Sequence, residues 1–398
     1  MGAVSVWLLF CWGWTKAMTR PCDDAKNLIF YTLAFGLFIY TLFKHGISAI
    51  GWLSKVLIAS VLLYFGASLI SLIGFGIAEY EGFLEIARLI LWCGFTYSLI
   101  LIGDIWKIIG KVSVVSASVM VILNVLSLPW IGWGPWEWNK FAYLPIGHVS
   151  YYGIFMALHI PLIIYFISKS VSLAEKGLWW ICALLVFLGV LFSGARAPLL
   201  GVTIGVLIPI FIGLAQGKRV WKLALGTALV PTLLLSGLYL SGNWKVLIVL
   251  TSKMSNYFQA GAILPAGRAH NFKATAEMIA DGINFGHGIG NFRFIYPEYG
   301  KEGGLSKHFL YHPHNEILHQ AAEVGRVGLW VWLFGLCVVY WRGFRAVIYA
   351  SNAESIILGL AGLTIVLVSW QFDTSYTSAL IRAMAAVYVS LILKPKEE

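Results

Sequence analysis

Charge is what this chain has least of. Only 12% of its 398 residues are Asp, Glu, Lys or Arg, against about 25% in an ordinary soluble domain. With 59% hydrophobic residues, no soluble core could hide the apolar surface, and a water-exposed multidomain architecture is excluded. Cysteine is sparse and scattered. Cys11, Cys22, Cys93, Cys182 and Cys337 form no CxxC or Cys/His ligand spacing, so neither a disulfide framework nor a zinc site is expected. No basic segment precedes the first apolar run and no small-residue cleavage site follows it, so residues 3–14 are read as a short first span rather than a signal peptide. Clustered positive charge is lacking too: the net +10 is dispersed over many short loops, the pattern of membrane topology rather than of nucleic-acid binding.

What the sequence does have is apolar runs that tile nearly its whole length. A bilayer core of about 30 Å needs roughly 17–25 apolar residues per helix. Cutting at charges, Gly/Pro clusters and polar stretches predicts twelve spans, near 3–14, 27–43, 56–78, 84–103, 111–130, 151–168, 178–193, 198–216, 223–241, 325–341, 355–371 and 377–394. The expectation is a single all-α, polytopic membrane domain over 1–398, with one long loop at 242–324. With the N-terminus cytoplasmic, thirteen Lys/Arg fall in the cytoplasmic connections and tail and five in the opposite short loops, which also carry Glu79, Glu81 and Glu85. That asymmetry places both termini in the cytoplasm and the long loop on the outer face. Trp130, Trp133, Trp136 and Trp138 fit an aromatic belt on the same side.

Six of the nine histidines lie in the long loop. It reads as a helix from Ala269 to Ala280 ended by Gly282, a glycine-rich turn from Gly286 to Gly290, an irregular stretch, and a helix from Glu316 to near Gly325. The Gly286–Gly290 run follows no strand, so it predicts tight turning rather than a nucleotide cradle. Gly325 and Gly328 read as close-packing positions at the start of the tenth span.

The sharpest constellation is Tyr311-His312-Pro313-His314-Asn315-Glu316, immediately before an amphipathic stretch with Ile317, Leu318, Ala321, Ala322 and Val324. Asn315 is suited to cap the helix, or to touch a substrate. His314 then sits at the positive end of a helix dipole, which disfavours imidazolium and suits a neutral general base; the plainer reading is a surface histidine. His312 and His314 could instead share a metal, but no carboxylate or cysteine stands at ligand spacing. Arginines form a second constellation. Arg196 lies in the tight turn Ser193-Gly194-Ala195-Arg196-Ala197-Pro198, and Arg268 follows Gly267 at the start of the loop helix. Helix N-termini favour anions, and guanidinium offers a fork matched to phosphate oxygens. The alternative for Arg196 is a lipid-headgroup anchor. Arg88 and Arg382 lie inside apolar spans, where pairing with carboxylates such as Glu85 or Asp373 competes with ligand contact.

His314-Asn315, nine residues, Gly325, two residues and Gly328 resemble the signature of bacterial O-antigen ligases. The Ser193–Arg196 turn and the Gly267-Arg268 pair resemble that family's two arginine positions, with Phe272 in the place of the aromatic that follows the pair. The resemblance extends over essentially the whole chain. It implies a GT-C-like membrane fold and an inverting glycosyl transfer without metal, nucleotide or other cofactor. The implied donor is a polysaccharide on undecaprenyl diphosphate and the implied acceptor a sugar hydroxyl of lipid A-core. The reaction would be part of lipopolysaccharide biosynthesis at the periplasmic face of the inner membrane. In that reading Arg196 and Arg268 hold the diphosphate, His314 takes the acceptor proton, and Asn315, His312, Arg88 and Arg382 are further substrate contacts.

O-antigen polymerases and O-linked protein oligosaccharyltransferases share parts of the pattern, and the full His-Asn to Gly-x-x-Gly spacing favours the ligase. A transporter would place ionisable residues and broken helices near the midplane, often in two related halves; most spans here have clean centres and no internal repeat is evident.

Overall fold

The computed structural model describes residues 19–45, 52–102, 104–131, 149–193, 195–217, 221–222, 224–226, 266–282, 284–300, 312–349, 353–372 and 378–393. Among them there is no strand. The helices are α1 (Thr19–His45), α2 (Trp52–Phe75), α3 (Glu79–Leu101), α4 (Ile105–Ile131), α5 (Val149–Ala157), α6 (Ile160–Lys169), α7 (Leu173–Ser193), α8 (Arg196–Ala215), α9 (Ala266–Asp281), α10 (Phe292–Tyr299), α11 (Glu316–Tyr349), α12 (Glu354–Trp370) and α13 (Ala379–Leu393). The protein is thus an all-α, polytopic membrane protein: among the described residues, seven helical stretches are long and apolar enough to cross a bilayer, one of them made of α5 and α6 together, and α12 and α13 are shorter apolar helices. The expected span at 3–14, most of the one at 223–241, and Trp133, Trp136, Trp138, Tyr311 and Asp373 lie outside the described residues.

The centre of the bundle is α13 with the α5–α6 pair. Every residue of α13 from Leu380 to Leu393 is buried, as is nearly all of α5–α6. An all-round apolar helix belongs in such a place. Around them α8 lies against α12 through Gly201 and Gly205, where an added Cβ would come within 3.2 Å of the Ile365 carbonyl and 3.0 Å of the Ala361 carbonyl. Removing the side chain lets the two backbones touch, which is how membrane helices gain dispersion energy where lipid offers no hydrophobic drive.

Two helices depart from the simple spans read in the sequence. The sixth span is broken at Leu158–His159 into α5 and α6. Pro161 has no N–H to return to the Ala157 carbonyl, and the turn is held from outside: the Tyr388 hydroxyl donates to the Leu158 carbonyl. His159 bridges the Ser113 hydroxyl (2.6 Å) and the Phe155 carbonyl (2.7 Å).

The tenth span is the long helix α11, interrupted at Gly325 (φ 69°, ψ −172°). Gly325 is therefore a conformational hinge point rather than only a packing position. The Gly286–Gly290 turn fits into the interruption and caps both sides of it. The His287 and Gly288 amides donate to the Ala322 and Glu323 carbonyls, each at 3.0 Å, and the Val327 amide donates to the Asn284 carbonyl at 3.1 Å. Ser71 of α2 gives its hydroxyl to the Glu323 carbonyl (2.6 Å) and accepts from the Gly288 amide (3.0 Å). Three backbone groups of α11 that the interruption would orphan, the Ala322 and Glu323 carbonyls and the Val327 amide, are satisfied in this way.

The stretch between the loop turn and residue 300 is not irregular throughout: Phe292–Tyr299 is helical. Phe292, Ile295 and Tyr296 form a small core with Ala274 and Met278 of α9 and Ala322 of α11. Asn291 ties this unit to the α2–α3 connection by accepting from the Ile77 (3.0 Å) and Ala78 (2.6 Å) amides. The Tyr299 hydroxyl donates to Asp281 (2.9 Å); burial first, then Asp281, pushes its pKa up to about 12, so it keeps its proton at neutral pH.

Candidate active site

The His-Asn turn stands where α11 begins. Asn315 accepts the Leu318 amide on Oδ1 at 3.0 Å, so it does cap the helix. Its Nδ2 reaches the Gln371 carbonyl (3.2 Å) and Gln371 Oε1 (3.4 Å) just past α12. His314, one residue earlier, has φ 58°, the only positive φ of a non-glycine residue among those described. Such a conformation is costly for a β-substituted residue and persists only where its surroundings enforce it. The His312 ring meets the His314 ring edge to face, centroids 4.7 Å apart, and Tyr151 of α5 lies 3.3 Å from His312 Nε2. Among the described residues no cluster of three or more His, Cys, Asp or Glu side chains is placed to hold a metal.

The arginine turn lies beside the same end of α5. Ser193 caps it locally, accepting the Ala195 amide at 3.2 Å, and Ser193 and Pro198 flank Gly153, two residues after Tyr151. Arg196 opens α8 with its side chain exposed. Arg268 is half-buried in the first turn of α9, which packs on α11. Arg88 and Arg382 converge on one carboxylate. Glu85 receives Arg88 on one oxygen and Arg382 (3.1 Å) on the other, while Arg382 also donates to the Tyr31 hydroxyl at 2.8 Å. For these two arginines the pairing with Glu85 anticipated from the sequence is present; Asp373 lies outside the described residues.

The first segment of α11 buries a polar stripe in addition to most of the apolar residues expected to face inward. Glu316, His319, Gln320 and Glu323, at helical spacing, are 2%, 2%, 5% and 2% exposed, whereas Ile317 is 36% exposed. Ala321, Ala322 and Val324 are buried as expected. The polar stripe is tied to itself and its neighbours by several hydrogen bonds, although Glu316 Oε2 and Glu323 Oε2 accept none among the described residues. Tyr64 donates to Gln320 Oε1 and Gln320 Nε2 donates to Glu316 Oε1 at 2.7 Å. Glu323 Oε1 accepts the Phe292 amide at 3.0 Å and lies 3.3 Å from His319 Nε2. A polar stripe of period 3.6 is a readable signal. The inward face there is carried by polar as well as apolar residues, which hydrophobic periodicity alone does not reveal. Tyr151 and Gln371, which hold His312 and Asn315, carry no sequence signal of their own.

These features define a polytopic helical membrane protein with a strained His-Asn turn and an arginine-bearing turn gathered at one end of the bundle. Residues 181–333, which include both turns and Gly325, match the family model for O-antigen ligase. No curated protein matches the chain. The family indicates O-antigen ligase or polymerase-type chemistry and a glycosyltransferase-like role.

Proposed function

We propose that the protein is an O-antigen ligase. It would transfer a polysaccharide from undecaprenyl diphosphate to a sugar hydroxyl of lipid A-core, by metal-independent inverting transfer at the periplasmic face of the inner membrane. The observation that carries this reading is His314: it occupies the family signature and is held at φ 58°, and retained strain is characteristic of functional positions. His314 acts as general base for the acceptor hydroxyl. Arg196 and Arg268 bind the diphosphate and stabilise the charge that develops as it leaves. Asn315 orients the turn, and His312 lies next to the acceptor. The thirteen-to-five Lys/Arg asymmetry supports the periplasmic orientation of 242–324.

The test is complementation of a ligase-deficient strain, following both capped surface lipopolysaccharide and lipid-linked polymer. Appearance of long chains on lipid A-core supports ligase; longer lipid-linked polymer without capping replaces it with polymerase.

A further inference from the structure

The helix α5 touches both halves of the site. Its Tyr151 hydroxyl lies 3.3 Å from His312 Nε2, and the His312 ring meets that of His314 with centroids 4.7 Å apart. Its Gly153 lies against Ser193 and Pro198 of the arginine turn. Positions i and i+2 of a helix stand about 200° apart around its axis, so one helix end can carry a turn on each side.

Glycine inside a helix is destabilising relative to alanine, and here a close approach explains it. A Cβ at 153 would stand 2.5 Å from Ser193 Oγ, 2.8 Å from Pro198 Cγ and 2.9 Å from Ser193 Cβ. Ser193 is 1% exposed, and its hydroxyl donates to the Val190 carbonyl (2.6 Å) and accepts the Ala195 amide (3.2 Å). It cannot rotate away without breaking both bonds, and the proline ring is closed. Unstrained carbon contacts need about 3.5–4.0 Å, so a methyl at 153 would displace the turn itself, and Arg196 with it, by about 1 Å.

The helix that bears on both turns is itself fixed. Ile154, Phe155, Met156 and Ala157 are wholly buried, and at the far end Tyr388 holds the Leu158 carbonyl and Ser113 the His159 ring. α5 packs on α7, α8, α12 and α13. An element so locked passes a shift on rather than absorbing it, and a catalytic constellation must be held to within about 0.5 Å. The φ of 58° at His314 likewise persists only where neighbours impose it. Tyr151 acts on it through His312, and Gln371 through Asn315.

We propose that Tyr151 and Gly153 are positioning residues through which α5 sets the spacing between the histidine turn and the arginine turn. Tyr151 holds His312 against His314, and Gly153 seats the turn that carries Arg196. The assignment rests on the transferase reading given above, whichever acceptor is used.

The test is glycan transfer from an undecaprenyl diphosphate-linked donor by the purified full-length protein, with kcat and donor KM measured for each variant. Tyr151→Phe keeps the ring and loses the hydroxyl: kcat falls about tenfold, the worth of one hydrogen bond, and the donor KM stays. In a His312→Ala background the same substitution has no further effect, because its route to His314 is gone. Gly153→Ala raises the donor KM by about tenfold or more, as a misplacement of about 1 Å can, and does so equally in His312→Ala. A Tyr151→Phe variant with unchanged kcat, or with the same loss in both backgrounds, overturns the role of Tyr151. A wild-type donor KM in Gly153→Ala overturns that of Gly153; should that variant fail to insert, Tyr151→Phe decides the role of α5 alone. A wild type that transfers to no acceptor defeats the transferase reading and this proposal with it, whereas an active wild type with unchanged variants defeats this proposal alone.

Discussion

Asn315 uses both ends of its amide. Oδ1 caps α11 through the Leu318 amide at 3.0 Å, and Nδ2 binds the Gln371 carbonyl at 3.2 Å. The two functions separate by substitution. Asn315→Asp keeps the cap and loses the tether, and Asn315→Ala loses both. The alanine variant should lose about 1 kcal/mol of stability, whereas the aspartate variant should melt near wild type yet ligate poorly. Thermal melting and ligation rate on the same preparations check this; equal activity of Asn315→Asp and wild type would show that the tether to Gln371 is irrelevant to turnover.

His314 gives a second separation. Glycine accepts positive φ without cost and alanine does not. His314→Gly should therefore be at least as stable as His314→Ala, despite glycine's greater chain entropy, while both lose a positioned general base, typically worth about 10² to 10⁴ in rate. His312→Ala should be milder. EDTA should leave wild-type activity unchanged. Near-normal turnover by His314→Gly would refute the catalytic role, and chelator-sensitive activity restored by zinc would revive the metal reading.

The legible and illegible parts of the sequence divide along physical lines. Long apolar runs fix helices because the bilayer leaves no alternative, and Asn315 was readable as a cap because capping is local. The break at His159 is not marked in the predicted span 151–168 although Pro161 lies at its middle, because the span is set by apolar length and a proline inside a membrane helix is tolerated where neighbours take up the freed backbone groups. The Glu85 pair with Arg88 was readable at i, i+3 spacing. The Tyr31 contact of Arg382, 351 positions away, was not, because nothing in a chain records which distant hydroxyl a guanidinium will meet.

Arg196 and Arg268 are expected to face one diphosphate, with guanidinium groups on the order of 10 Å apart, given charge-assisted bonds under about 3 Å each. Arg196→Lys and Arg268→Lys keep charge but lose the fork. Both should insert normally and ligate slowly, with a raised KM for the lipid-linked donor. An experimental structure with the two on opposite faces would end this assignment.

Arg382 and Arg88 share Glu85 but differ in burial, their side chains being 8% and 21% exposed. Removing one member of a buried pair costs about 3–5 kcal/mol, so Arg382→Ala should reduce folded yield sharply and Arg88→Ala much less. Glu85→Gln added to Arg382→Ala should recover part of the loss. A double-mutant cycle on unfolding in mild denaturing detergent measures the coupling.

The interruption of α11 at Gly325 bears on how the protein is made. Every group that caps the break, Ser71 and the backbone of Asn284, His287 and Gly288, precedes it in the chain and has therefore left the ribosome before α11 does. The helix can adopt its bend against a finished template as it emerges, without waiting for α12 or α13. Gln371, which fixes Asn315, comes later. The membrane frame around the bend can thus form during synthesis, whereas the His-Asn turn gains its contact with Gln371 only when α12 is complete.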